Sequence, residues 1–171
     1  SYHGFGPFVP GIVKIPYNDI TALEESLQDK NVAAFMVEPI QGEAGVVVPD
    51  DDYLKQVRAV CTKNKVLLIA DEVQTGIART GKLLACDYAN IQPDILILGK
   101  ALSGGTMPVS AVLCSDEIML CIKPGEHGST FGGNPLACAV ATASLQVVID
   151  EKLADNAHEM GELFRNGLRS L

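Results

Sequence analysis

Two charged residues each stand directly after an apolar run. Asp71 follows Val66-Leu67-Leu68-Ile69-Ala70, and Lys100 follows Ile95-Leu96-Ile97-Leu98-Gly99. Such runs read as buried strands, and open α/β sheets hold their ligands beyond the strand ends. A lysine placed there can form an imine with an aldehyde, and a carboxylate can hold the proton of a ring nitrogen. These are the two protein groups that pyridoxal phosphate (PLP) chemistry asks for. Gln74, three residues past Asp71, adds an amide to the same loop. Gly99, Gly104 and Gly105 around the lysine would let backbone approach a flat cofactor, since glycine lacks a Cβ. Taken singly, the lysine is an ordinary solvated residue and the aspartate a turn former. Two of them at two strand ends point to chemistry.

The elements that must position these residues can be read from periodicity. Residues 1–17 are rich in Gly and Pro around a short expected strand, Ile12 to Ile15. Asn18 or Asp19 can cap a helix with Ile20, Leu23 and Leu27 on one face. Val32 to Val37 reads as a buried parallel strand, ending at Glu38-Pro39 before a glycine-bearing loop. A helix begins at Asp50 to Asp52 with Leu54, Val57 and Cys61 inward, and the Asp71 strand follows. The Lys100 strand spans about Asp94 to Leu98, and another strand runs from Val109 to Cys114. Asn134-Pro135 marks the start of a long helix with Leu136, Val140, Ala143 and Val147 on one side. A last helix carries Ala157, Met160, Phe164 and Leu168 on one face, while Glu24-Glu25 and Asp116-Glu117 read as solvated. Strands alternate with helices, so the expected class is α/β with a mainly parallel sheet and flanking helices.

Composition narrows the partners. The chain of 171 residues has 47% hydrophobic and 20% charged residues, enough for one domain with a sizeable core. A net charge of −8, with no basic stripe, argues against nucleic acid or an anionic membrane as the main partner. No apolar run approaches the length of a membrane span. The five cysteines, Cys61, Cys86, Cys114, Cys121 and Cys138, form no CxxC pair and read as reduced thiols. His3, His127 and His158 lie far apart, without metal-ligand spacing. Neither end carries a start or stop signature, so the chain reads as part of a longer protein.

Gly76-Ile77-Ala78-Arg79-Thr80-Gly81-Lys82 nearly matches a phosphate-binding P-loop. The match fails at Leu83, where magnesium needs Ser or Thr, and Asp71 and Glu72 would repel a triphosphate.

A longer set of segments carries a family resemblance. These are Ile15-Pro16-Tyr17-Asn18-Asp19, Val37-Glu38-Pro39-Ile40-Gln41-Gly42-Glu43-Ala44-Gly45, and Ala70-Asp71-Glu72-Val73-Gln74-Thr75-Gly76. They continue with Leu98-Gly99-Lys100-Ala101-Leu102-Ser103-Gly104-Gly105 and His127-Gly128-Ser129-Thr130-Phe131-Gly132-Gly133-Asn134-Pro135. The chain resembles the class III, fold-type I PLP-dependent aminotransferases, and among them the ornithine aminotransferase group. The resemblance implies that residues 1–171 are the middle of a PLP-binding large domain. An N-terminal segment and a C-terminal small domain are expected outside it, leaving the segment alone inactive. It also implies a homodimer or higher oligomer, a mitochondrial setting with a cytoplasmic alternative, and ornithine and 2-oxoglutarate as substrates. Acetylornithine or 4-aminobutyrate aminotransferases are the alternatives within the family. A truncated, non-catalytic dimerisation partner is the alternative outside it.

The resemblance also assigns roles. Lys100 would bind the cofactor covalently and then move the substrate proton; Asp71 would keep the ring nitrogen protonated. Gln74 would donate to the ring oxygen, and Ser129 and Thr130 would serve the phosphate of a neighbouring subunit's cofactor. Glu43 would meet the substrate end, pairing with an arginine outside this segment, and Glu38 would support its loop. The chain departs from the family at Thr106-Met107, where an aromatic commonly precedes the proline.

Overall fold

The computed structural model describes residues 4–171. Ser1, Tyr2 and His3, including the isolated histidine noted above, lie outside the described residues. The sheet has four strands in sequence order: β1 (Ala34–Val37), β2 (Leu67–Asp71), β3 (Ile95–Leu98) and β4 (Ala111–Cys114). β1, β2 and β3 pair in parallel, whereas β4 runs antiparallel to β3. The strict alternation of strand and helix therefore stops at β3. The link from β3 to β4 holds only a 3-10 turn, Lys100–Ser103, and doubles back at the same sheet end. A parallel return would need a helix crossing the sheet face.

Alternation along the strands sorts side chains between two faces. Val37, Leu68, Ala70, Leu96 and Leu98 share one face by register, and helices cover it. α1 (Ile20–Ser26) and α2 (Tyr53–Asn64) pack Leu23, Leu54, Val57 and Cys61 there against β1 and β2. The short α3 (Cys86–Ala89) adds Ala89. α5 (Pro135–Asp150) closes the β3 end with Ala141, Leu145 and Val148 against Leu98 and Leu102. The opposite face carries Met36, Ile69, Asp71, Ile97 and Val112, with Met36 and Val112 each 54% exposed.

Local signals set the helix starts. Asp19 caps α1 by accepting from the Ala22 amide at 2.9 Å, and Asn134 caps α5 through Ala137 at 2.9 Å. Arg58 on α2 meets Asp94 at 2.8 Å, and Asp94 accepts from the Leu68 amide, tying the helix to the start of β3.

Two expectations change. Ile12 to Ile15 forms no strand, and Ile12 and Val13 are exposed. On α5 the inward positions are Ala137, Ala141, Leu145 and Val148, while Leu136, Ala143 and Val147 face outward. That helix is apolar nearly all round, so periodicity could not choose its inner face. After the one-turn α4 (Asp116–Met119) and α5 comes α6 (Leu153–Arg169). Its apolar stripe is present but open, with Phe164 69% exposed. No described helix is long and apolar enough to cross a membrane.

Glu72 holds the site's frame. Pairing continues one residue past β2, since the Glu72 amide donates to the Ile97 carbonyl at 3.0 Å. The side chain is 1% exposed and accepts from the Thr75 hydroxyl and from the Ala85 and Cys86 amides at 3.0 and 2.8 Å. It thereby pins the loop after Asp71 to the start of α3. Beside it, burial first and Glu72 second push the Cys86 thiol far above its ordinary range. In the full-length protein, Glu72→Ala should strand three buried donors and lower unfolding stability by about 3 kcal/mol. Hydrogen exchange should quicken at Ala85 and Cys86, and unchanged protection at both amides would rule this role out.

Candidate active site

Asp71 ends β2 on the sheet face left open by the helices. It is half-buried, and its Oδ1 accepts from the Val73 amide at 3.0 Å. Its register partners across the sheet are Ile97 and Val112, both apolar. The carboxylate thus stands on an otherwise apolar row.

Lys100 lies three residues past Ile97, at the end of the adjacent parallel strand. It is exposed and adopts φ +44°, a left-handed conformation costing on the order of 1 kcal/mol for a residue with a Cβ. The surrounding turn imposes it: Leu102 donates to the Gly99 carbonyl at 3.0 Å, and Gly104 to Ala101 at 2.9 Å. Ser103 is buried, its carbonyl accepting from the Thr106 hydroxyl at 2.9 Å and its Oγ from the Met107 amide at 3.3 Å. Thr106, next to the Met107 position where relatives were expected to carry an aromatic, fastens the lysine turn from below. Lys100 also borders an open groove of about 730 Å³ between this turn and α5, with Arg79 and Ser144 on its walls. A Cβ at Gly99 would touch Val73 at 3.4 Å, so its backbone packs against a side chain.

The loop after β1 reaches the same sheet end. Gln41 and Val47 exchange amide bonds of 3.0 and 2.9 Å, closing it into a tight ring. Gly45 at φ +108° supplies the turn inside the ring. Glu38 Oε2 accepts from the Gly42 amide at 3.1 Å, so this carboxylate supports the loop. Glu43, exposed on the ring, accepts from Gln74 Nε2 at 3.2 Å. Two residues 31 positions apart, read separately in the sequence, are partners.

Tyr17 braces this loop from behind. Its hydroxyl donates to the Glu38 and Pro39 carbonyls at 3.1 and 2.9 Å, and its ring meets Tyr53 edge-on at 5.5 Å. Burial, then Tyr53 and Glu38, push its hydroxyl well above the usual tyrosine range, keeping it a donor. Sequence reasoning assigned Tyr17 no role. The motif holding it was visible, but a contact across more than twenty residues was not.

Ser129 and Thr130 lie elsewhere, in the exposed link between α4 and α5. Ser129 Oγ accepts from Gly132 at 2.9 Å, and Phe131 beside them is 80% exposed. No hydrogen bond among the described residues ties either to Lys100, Asp71, Gln74 or Glu43. The near P-loop is a run of turns with Ile77 and Ala78 buried, and it opens no helix where a phosphate would sit.

The family model for aminotransferase class III matches residues 1–171. The chain belongs to the class III aminotransferases. The mitochondrial ornithine aminotransferase of Drosophila melanogaster is 72% identical over all of this chain, which covers 40% of that protein. A solved ornithine aminotransferase from Toxoplasma gondii, with partial occupancy of PLP at its active site, is 58% identical. It superposes at a TM-score of 0.96, matching 99% of this chain and 40% of its own. A solved acetylornithine aminotransferase from Elizabethkingia anophelis is 65% identical, with a TM-score of 0.92 over 95% of this chain and 43% of its own. The chain spans about 40% of the length of the curated relatives it matches.

Within a class III aminotransferase of full length, Tyr17→Phe should remove both carbonyl contacts and cost about 1 kcal/mol of stability. Amide exchange should rise across residues 40–47, and an unchanged exchange pattern there would exclude the bracing role.

Proposed function

We propose that this chain is the cofactor-holding core of a PLP-dependent ornithine δ-aminotransferase. The enzyme would pass the terminal amino group of L-ornithine to 2-oxoglutarate, leaving glutamate 5-semialdehyde. The observation that carries this reading is the placement of Asp71 and Lys100 at the ends of adjacent parallel strands, with Gln74 and Glu43 bonded to each other in the loops alongside.

The donor set fits PLP: an exposed amine, a carboxylate on an apolar row, and an amide in the loop after that carboxylate. When bound, PLP supplies the electron sink that stabilises a carbanion at the substrate carbon. Asp71 holds the proton on the ring nitrogen, and each pKa unit of that preference is worth ~1.4 kcal/mol. Lys100 would hold the cofactor covalently; once released, its amine would carry the proton from the substrate carbon to the cofactor carbon C4′. Gln74 donates one amide hydrogen to Glu43 and has a second for the ring oxygen. Glu43 receives the substrate end, masking an arginine contributed from outside this segment. Ser129 and Thr130 would serve the phosphate of a second copy's cofactor, which makes the working enzyme a homodimer. We assign it to the mitochondrial matrix, in keeping with the name of the fly relative.

The acetylornithine aminotransferase likeness supports a second reading, with acetylornithine as the amino donor. Competition between ornithine and N-acetylornithine for the full-length enzyme separates the two.

Borohydride reduction of the full-length protein with PLP should fix the cofactor on Lys100, and Lys100→Ala should abolish both label and turnover. A label recovered on Lys82 or Lys123 would refute the assignment. Glu43→Ala should slow the ornithine half-reaction while leaving the glutamate half-reaction intact or faster. Equal losses in single-turnover measurements with the two substrates would defeat the gating role.

A further inference from the structure

We propose that Gly42 is a positioning residue for Gln74: the space a side chain would occupy at Gly42 is filled by the Gln74 amide, and this seats Gln74 on Glu43. The inference deepens the reading above and rests on Gln74 facing the cofactor. Gly42 does not adopt the left-handed backbone that favours glycine, so its conformation suits any residue. Its neighbour is the constraint. A Cβ at Gly42 would lie 2.6 Å from Gln74 Cδ and 2.9 Å from Nε2, and closer still to Oε1. Real Cβ atoms do not approach other atoms so closely.

The backbone at Gly42 cannot give way. Its amide donates to Glu38 Oε2 at 3.1 Å, and its carbonyl accepts from the Gly45 and Val46 amides, each at 3.1 Å. The residue before it, Gln41, is locked to Val47. Gln74 is a flexible side chain, so it is the group that moves. Displacing it breaks the 3.2 Å bond to Glu43 and withdraws the second amide hydrogen from the cofactor ring. Gly42 therefore lets the residue at the substrate end and the residue at the ring act as one unit.

The test compares four full-length homodimers: the natural enzyme, Gly42→Ala, Gln74→Ala and the double variant. Two quantities are read: the dissociation constant of the apoenzyme for added PLP, and the pH midpoint of the bound cofactor's visible band. Gln74→Ala should weaken PLP binding about tenfold, the order expected for one lost hydrogen bond. Gly42→Ala should weaken it by a similar factor and move the midpoint in the same direction. The double variant should be no worse than Gln74→Ala, because the clash has lost its partner. Equal losses from Gly42→Ala in both backgrounds, or no loss when Gln74→Ala alone is impaired, would overturn the proposal. Should Gly42→Ala fail to fold, a double variant that melts with Gln74→Ala reports the same coupling; one as unstable as the single overturns it. If Gln74→Ala leaves both readouts unchanged while borohydride still labels Lys100, the positioning role falls and the aminotransferase reading stands. Loss of the Lys100 label in the natural enzyme brings down both.

Discussion

One pair of adjacent carboxyl groups organises this end of the molecule. Asp71 and Glu72 follow each other at the end of β2, and strand alternation sends them to opposite faces. Glu72 goes into the helix-covered side, where three donors consume it. Asp71 is left on the open face, among apolar neighbours. The close turn that follows depends on the same arrangement. Gly76 donates to the Glu72 carbonyl at 2.8 Å, and a Cβ at Gly76 would itself sit 2.8 Å from that oxygen. The buried carboxyl thus stiffens the loop that carries Gln74, while its neighbour stays available for chemistry.

The rest of the site is built by bringing three loops to one sheet end. Parallel pairing of β1, β2 and β3 makes that convergence unavoidable, because parallel strands all finish on the same side. The β1 loop contributes Glu43, the β2 loop Gln74, and the β3 turn Lys100. Each is braced by groups without chemistry of their own: Tyr17 and Glu38 behind the first, Glu72 beneath the second, Ser103 and Thr106 under the third. Several apolar surfaces stay open, including Phe131, Leu136 and the α6 stripe at Leu163 and Phe164. Exposed apolar side chains leave room for contacts with further protein. The homodimer proposed above would use such surfaces.

Much of the frame was legible because its signals are local. Asp19 and Asn134 cap helices through amides three residues ahead, a reach set by helix geometry alone. The α2 face was readable because its apolar residues recur against a polar background. Where that contrast vanished, reading failed: α5 is apolar on nearly every side, and only its neighbours selected Ala137, Ala141 and Leu145 as the inner face. Ile12 to Ile15 failed for a related reason, since a β-prone run is a strand only when another strand lies beside it.

The amino-acid sequence by itself determined which groups could do chemistry and that Asp71 and Lys100 end strands. Those are properties of short windows, where residue type and period suffice. Tertiary structure decided which of these groups meet. Gln74 and Glu43 became partners, Gly42 became the space between them, and Glu72 became a core acceptor, all across separations where no periodicity operates. The direction of β4 was decided there too, because a chain reversal depends on what the connecting segment packs against. Contacts between distant segments depend on strand register and packing, and these exist only once the chain has folded.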